Sequence, residues 1–175
     1  MIVIICVGRL KERFFTEGTE YYRSQYANSS AIGGARSGSI KNGPLRIVEV
    51  PDESAPERLS EAQKRQIKEK EGKAILKRIG AAATVVALDM NGEKYSKAEI
   101  RSLLRRHSGD IAFVIGGSLG LGQNVLERAD YRWSLSAMTL PHQLARMAAV
   151  RVIASEMERI MTNGPACDGK AAEIR

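Results

Sequence analysis

Residues 111–122 read "IAFVIGGSLGLG". Five apolar residues run straight into two glycines, and two more glycines follow at 120 and 122. A continuous apolar run of this length, bounded by turn signals, predicts a strand covered on both faces, as in the interior of a parallel sheet. Glycines at a strand exit let the backbone approach a ligand or turn sharply. The stretch therefore sets two questions: what sheet surrounds this strand, and what its exit loop is for.

The flanking sequence answers the first. "IVIICV" (2–7), "LRIVEV" (45–50, closed by Pro51), "TVVALDM" (84–90) and "YRWSLS" (131–136) have the same β-rich character. Between them lie helical patterns: "LKERFFTEGTEYYRSQYA" (10–27), with Gly18 a weak interior point, and a charged helix from 61 that stops near Gly80. Ser60 followed by Gln63 fits a capping box for that helix, and Ser96 caps "KAEIRSLLRRH". "NVLERA" (124–129) and "HQLARMAAVRVIASEMERIM" (142–161) complete the series. Strand and helix alternate, so the chain is predicted to be α/β, a mostly parallel sheet flanked by helices. Ligands of such sheets sit beyond the carboxyl ends of the strands. Those ends are expected after Leu88, Ile115 and Ser136.

The 175 residues suit one domain with a sizeable core. "NSSAIGGARSGSIKNG" (28–43) lacks apolar periodicity and reads as a flexible insertion carrying Arg36 and Lys41. The hydrophobic fraction of 43% and charged fraction of 27% are those of a soluble protein. The apolar start is seven residues long with no basic lead-in, a first strand rather than a signal peptide. No stretch approaches the ~20 apolar residues of a membrane span. Cys6 and Cys167 make no disulfide framework; Cys6 is expected in the core and the setting in the cytoplasm. A net charge of +7 is compatible with nucleic acid as partner. Aromatics at 5% argue against a base-stacking platform.

The glycine loop does not fit the phosphate motifs. A Walker loop needs a Gly-Lys-Ser/Thr ending, and this loop has no lysine. A dinucleotide fingerprint belongs in the first strand–turn–helix unit, which offers only "VGRLKE". Two histidines, His107 and His142, lie far apart without cysteine partners at ligand spacing, so metal and covalent catalysis are not expected. His107 is expected on a solvated helix end. "LSAMTLPHQLARM" (135–147) is more informative. Its small residues leave backbone amides free, Leu135, Met138 and Leu140 offer an apolar wall, and Pro141 leads into a helix starting at His142. That combination suits an adenosine-like group; a plain helix entry has a similar look.

Together, "IGGSLGL" (115–121) and "SLSAMTLPHQLAR" (134–146) resemble the RlmH family of SPOUT-class methyltransferases. "VGRLKERFF" (7–15), "EVPDESAPE" (49–57), "KEKEG" (68–72) and "ALDMNGE" (87–93) match it too. The resemblance covers roughly residues 1–27 and 45–160. It implies a C-terminal trefoil knot, a homodimer, and S-adenosylmethionine as donor of a methyl group to N3 of a pseudouridine in 23S ribosomal RNA on the ribosome. The family's cofactor contacts fall on Leu88, on Gly116 and on Leu135, Ser136, Ala137, Met138, Thr139 and Leu140. On this reading Gly116 and Gly117 open room for the cofactor.

Removing the N3 proton calls for a base or a stabilising cation. His142 is the candidate base, with capping or packing as its alternative. Arg146, one turn on, is the candidate RNA contact, with a solvated helix arginine as its alternative. The family's Tyr-His-Lys/Arg ending is replaced by an atypical tail, "MTNGPACDGKAAEIR" (161–175). A ribosome-associated protein that keeps the fold and has lost catalysis is therefore a second reading.

Overall fold

The structure is a computed structural model that describes residues 1–32, 45–53, 56 and 58–163. Ten elements follow in order: β1 (Ile2–Val7), α1 (Arg13–Ile32), β2 (Leu45–Val50), α2 (Glu61–Leu76), β3 (Thr84–Glu93), α3 (Lys97–Arg106), β4 (Ile111–Ile115), α4 (Gln123–Arg128), β5 (Tyr131–Trp133) and α5 (His142–Asn163). The strands form one sheet, ordered β2-β1-β4-β3-β5, and every neighbouring pair is parallel. The α/β expectation holds. β4, the strand of the opening stretch, is buried at all five positions.

Alternation along the strands divides the core in two. Ile4, Val86 and Phe113 pack against α3 and α5, with Tyr22 of α1 beside them. Ile5, Val85 and Val114 face the other way, against Ile75 of α2 and Val125 of α4. Cys6 is buried in the first cluster, as expected, and burial pushes its thiol pKa up to about 12. Gly18 proves to be a packing position: a Cβ there would lie 2.6 Å from Met147 Sδ, so glycine lets α1 approach α5.

Both expected caps are present. Ser60 Oγ accepts from Gln63 N at 3.3 Å while Gln63 Oε1 accepts from Ser60 N at 2.9 Å. Ser96 and Glu99 repeat the arrangement on α3.

Four boundaries differ from expectation. α1 runs on through Ile32, so the first five residues of the expected insertion are helical; 33–43 lie outside the described residues. α5 likewise takes in 161–163 of the tail, and the remainder lies outside. β3 does not end near Leu88. Leu88 and Glu93 both pair with Trp133, and residues 89–92 bulge out between them. β5 stops at Trp133, three residues before Ser136. Ser134 Oγ donates to the Ser136 carbonyl at 3.0 Å, and Met138 N donates to Ser136 Oγ at 3.0 Å. These local bonds turn the backbone away from the ladder.

α3 and α5 are joined by a buried ion pair. Glu156 is fully buried, and Arg101 Nε donates to its Oε2 at 2.8 Å. Removing the cation leaves a carboxylate in apolar surroundings, so Arg101→Ala is expected to cost about 3 kcal/mol in urea unfolding. Adding Glu156→Gln to it should recover most of that loss; two additive losses would show that the pair is not coupled.

Candidate active-site cleft

Because every strand is parallel, all carboxyl ends open on one rim of the sheet, and a cleft of about 660 Å³ lies there. Three segments line it: the 88–91 bulge of β3, the loop 116–121 after β4, and the loop 134–141 after β5. Leu88, Gly116, Leu135, Ser136, Met138, Thr139 and Leu140 all lie on its wall. Ala137 belongs to the same loop without being part of the lining. Met138 is 74% exposed, at the rim rather than in an enclosed apolar wall, and Met90 beside it is exposed too.

The glycine loop folds back on itself. Gly117 and Gly120 form an antiparallel bridge, with Gly120 N donating to the Gly117 carbonyl at 3.0 Å. Gly120 has φ +84°, a conformation that side chains disfavour. A Cβ on Gly116 would meet the Gly120 carbonyl carbon at 2.6 Å and Leu121 N at 2.9 Å. The room beside Gly116 is thus filled by the loop's own backbone, which corrects the expectation that the glycine opens space for a ligand. Residues 116–120, "GGSLG", also have the Gly-x-Ser-x-Gly spacing of a hydrolase elbow. Ser118 is exposed in the turn, four residues before the N-cap of α4 at Gly122, and no histidine is bonded to it among the described residues.

The 89–92 bulge and the start of α5 are braced as well. Arg132 Nε donates to Asp89 Oδ2 at 2.9 Å, and Nη2 reaches the same oxygen, tying the 89–92 bulge to β5. Lys11 N donates to Gln143 Oε1 at 3.2 Å, fastening the loop after β1 to the start of α5.

His142 lies half-buried on the cleft wall in the first turn of α5. Arg146 does not join it. Its guanidinium is turned under the helix, where Nη2 donates to Glu49 Oε1 at 2.7 Å and Nη1 to the Gly8 carbonyl at 3.4 Å. At 6% exposure it is not a solvated arginine. His107 lies away from the cleft, as expected, but is half-buried rather than fully solvated: Nδ1 is 3.1 Å from Thr84 Oγ1 and Nε2 3.3 Å from Tyr131 Oη.

Two features were not assigned from sequence. Lys68 of α2 reaches the cleft wall from an element that precedes its three loops in the chain. Glu71, one turn further along α2, is 4% exposed beneath the glycine loop, with Oε2 3.3 Å from where a Cβ on Gly117 would stand. Its Oε1 accepts from Glu53 N at 3.1 Å, and Oε2 has no partner among the described residues. Burial raises the Glu71 pKa to about 7; the Glu53 N–H opposes the shift, and the neighbouring Asp52 and Glu53 carboxyls add to it. The "KEKEG" motif marked the place, but not that it is buried.

A parallel sheet with a rim cleft formed by the loops after β4 and β5 is the setting in which to place the sequence relationships. The chain belongs to the SPOUT methyltransferase family: residues 1–155 match the family described as "Predicted SPOUT methyltransferase". It is 40% identical over 156 residues, 87% of this chain and 90% of the other, to ribosomal RNA large subunit methyltransferase H of Alkaliphilus oremlandii. It is 44% identical to the protein of that name from Lactiplantibacillus plantarum, covering 83% and 86% of the two chains. Ribosomal RNA large subunit methyltransferase H 1 of Clostridium perfringens is 39% identical, covering 94% and 97%. The resemblance read from the late motifs is borne out.

Glu71 makes the stability of the fold depend on pH. With a folded-state pKa near 7 and an ordinary unfolded value of 4.5, the folded state holds more protons between those limits. Its contribution to stability is complete below about pH 4.5 and is lost as pH rises towards 7. Unfolding followed from pH 4.5 to 7.5 should show a steeper decline for the native protein than for Glu71→Gln; identical slopes would assign the effect to other groups.

Proposed function

We propose that this protein transfers the methyl group of S-adenosylmethionine to N3 of a pseudouridine in 23S ribosomal RNA, acting on the ribosome in the cytoplasm. The observation that carries the reading is the convergence of 88–91, 116–121 and 134–141 on one cleft, in a chain of the SPOUT methyltransferase family. The same reading includes the family's trefoil knot through these late loops and a homodimer, for which light scattering is the test.

The cleft suits such a cofactor. Its volume is within the usual ~300–1,000 Å³ range of small-molecule sites. Leu88, Leu135 and Leu140 provide apolar surface for an adenine ring, and the loops at 116–121 and 134–140 provide backbone polar groups to orient it. Ser136, Met138 and Thr139, with Ala137 of the same loop, complete the proposed binding set. Arg132 is already committed to Asp89, which suits a donor that carries no phosphate. When bound, the cofactor supplies an electrophilic methyl carbon on a sulfonium.

The chain's task is then alignment and proton handling. Its position on the cleft wall, at the first turn of α5, supports His142 as the acceptor of the N3 proton. Rigid support comes from α5, held by the Lys11–Gln143 bond and by Arg146 on Glu49. The altered tail favours the second reading, a ribosome-associated protein that binds RNA and cofactor without turnover. Labelled cofactor incubated with hypomethylated ribosomes separates the two, since normal turnover disposes of the second.

Calorimetry should give saturable S-adenosylmethionine binding. Gly116→Ala should weaken it at least tenfold, because its Cβ displaces the Gly120 backbone; unchanged affinity would remove the glycine loop from the site. His142→Gln should lower kcat by about 10²–10⁴ with little change in cofactor affinity. A kcat within twofold of the native value would show that His142 is not the base.

A further inference from the structure

A second groove lies at the β2 edge of the sheet, between β2 and α1, and is about 960 Å³ in volume. Arg9, Arg23, Arg46 and Arg146 all line it, with Glu20 and Glu49 as its carboxylates. Arg23 Nε is bonded to Glu20 at 2.8 Å, and Arg146 to Glu49 at 2.7 Å. Arg9 and Arg46 are exposed and have no carboxylate partner among the described residues. The lining therefore carries two positive charges in excess.

The floor of the groove is polar and incompletely bonded. Thr19 is 4% exposed and Arg146 6%, and Thr19 Oγ1 and Arg146 Nε have no partner among the described residues. Both atoms carry a hydrogen that can be donated, and buried donors left unpaired are costly. Planar guanidinium groups recognise phosphate better than point charges do.

We propose that this groove holds the phosphodiester backbone of RNA beside the nucleotide that enters the cleft. The inference rests on the RNA-directed reading above and adds a binding surface to it. The groove and the cleft are neighbours: His142 and Ala145 line the cleft, and Arg146, one helical turn (~5.4 Å) from His142, lines the groove. The loop carrying Arg9 is tied to the same helix, through Gly8 to Arg146 and through Lys11 to Gln143. A strand that presents a base to the cleft thus meets these arginines with its flanking phosphates. The chain's net charge of +7 favours that encounter.

The test uses full-length protein and a poly-uridine oligonucleotide, since phosphate contacts carry no sequence information. Arg9→Gln/Arg46→Gln should bind it about tenfold more weakly. The slope of log affinity against log salt should become shallower by about 1.4, the loss of two contacts at ~0.7 each. Calorimetric affinity for S-adenosylmethionine should not change. A charge-matched control at the C-terminal end of α2 and its cap, Lys73→Gln/Lys77→Gln, should keep the native slope. Equal losses in both double variants would overturn the proposal, because net charge alone would explain them. A groove variant that lost affinity for inorganic phosphate but kept its RNA slope would also overturn it, revealing a small-anion site. Should the native protein transfer no methyl group while the slope difference persists, the groove stands and the catalytic reading falls.

Discussion

The Gly120 carbonyl carbon lies 2.6 Å from the point where a side chain on Gly116 would begin, and the rim of this molecule is arranged around that approach. β4 is the central strand that the flanking pairs β1 and β3 are built on, and its exit decides what can sit above them. With glycine at 116 the chain turns back across the strand end; Gly120, at φ +84°, completes the turn. The folded loop then forms one wall of the cleft. Its underside presses Gly117 onto Val7 and Glu71, so the cleft wall is continuous with the core beneath it.

Three buried charged groups show how differently one interior treats charge. Glu156 is fully buried and has Arg101 against its Oε2, so α3 and α5 are joined by an ion pair. Arg146 finds Glu49 and the Gly8 carbonyl, and thereby holds α5, β2 and the loop after β1 in register. Glu71 has carboxyls beside it and no cation bonded to it among the described residues; Lys70, the basic side chain that follows Glu69, is drawn to Glu53 instead, at 2.7 Å. Uncompensated burial is relieved by keeping a proton, which raises the Glu71 pKa to about 7.

α5 separates the two concave regions of the surface. Its first turn presents His142 and Ala145 to the cleft, while Arg146 lies under the helix at the floor of the arginine groove. Residues four apart on a helix are commonly taken to share a face. Here the face is broad enough to border both regions, and the Glu49 carboxylate draws the arginine to the groove side.

Much of this was legible along the chain because it is local. Alternating β-rich and helical patterns predicted five strands and five helices, and Ser60 and Ser96 predicted two helix starts, since capping involves residues three apart. The motifs at 115–121 and 134–146 marked the two loops that meet at the cleft. Other features depended on partners distant in sequence, and local pattern is blind to those. The bulge at 89–92 exists because Trp133 pairs on both sides of it, and β5 ends early because Ser134 and Ser136 bond locally. Whether Gly116 faces a ligand or its own loop, whether Arg146 meets solvent or Glu49, and whether Glu71 keeps its proton were decided only when the tertiary fold set non-adjacent segments within a few ångströms of one another. Steric exclusion and charge burial act through space, and the order of residues specifies them only through the fold it produces.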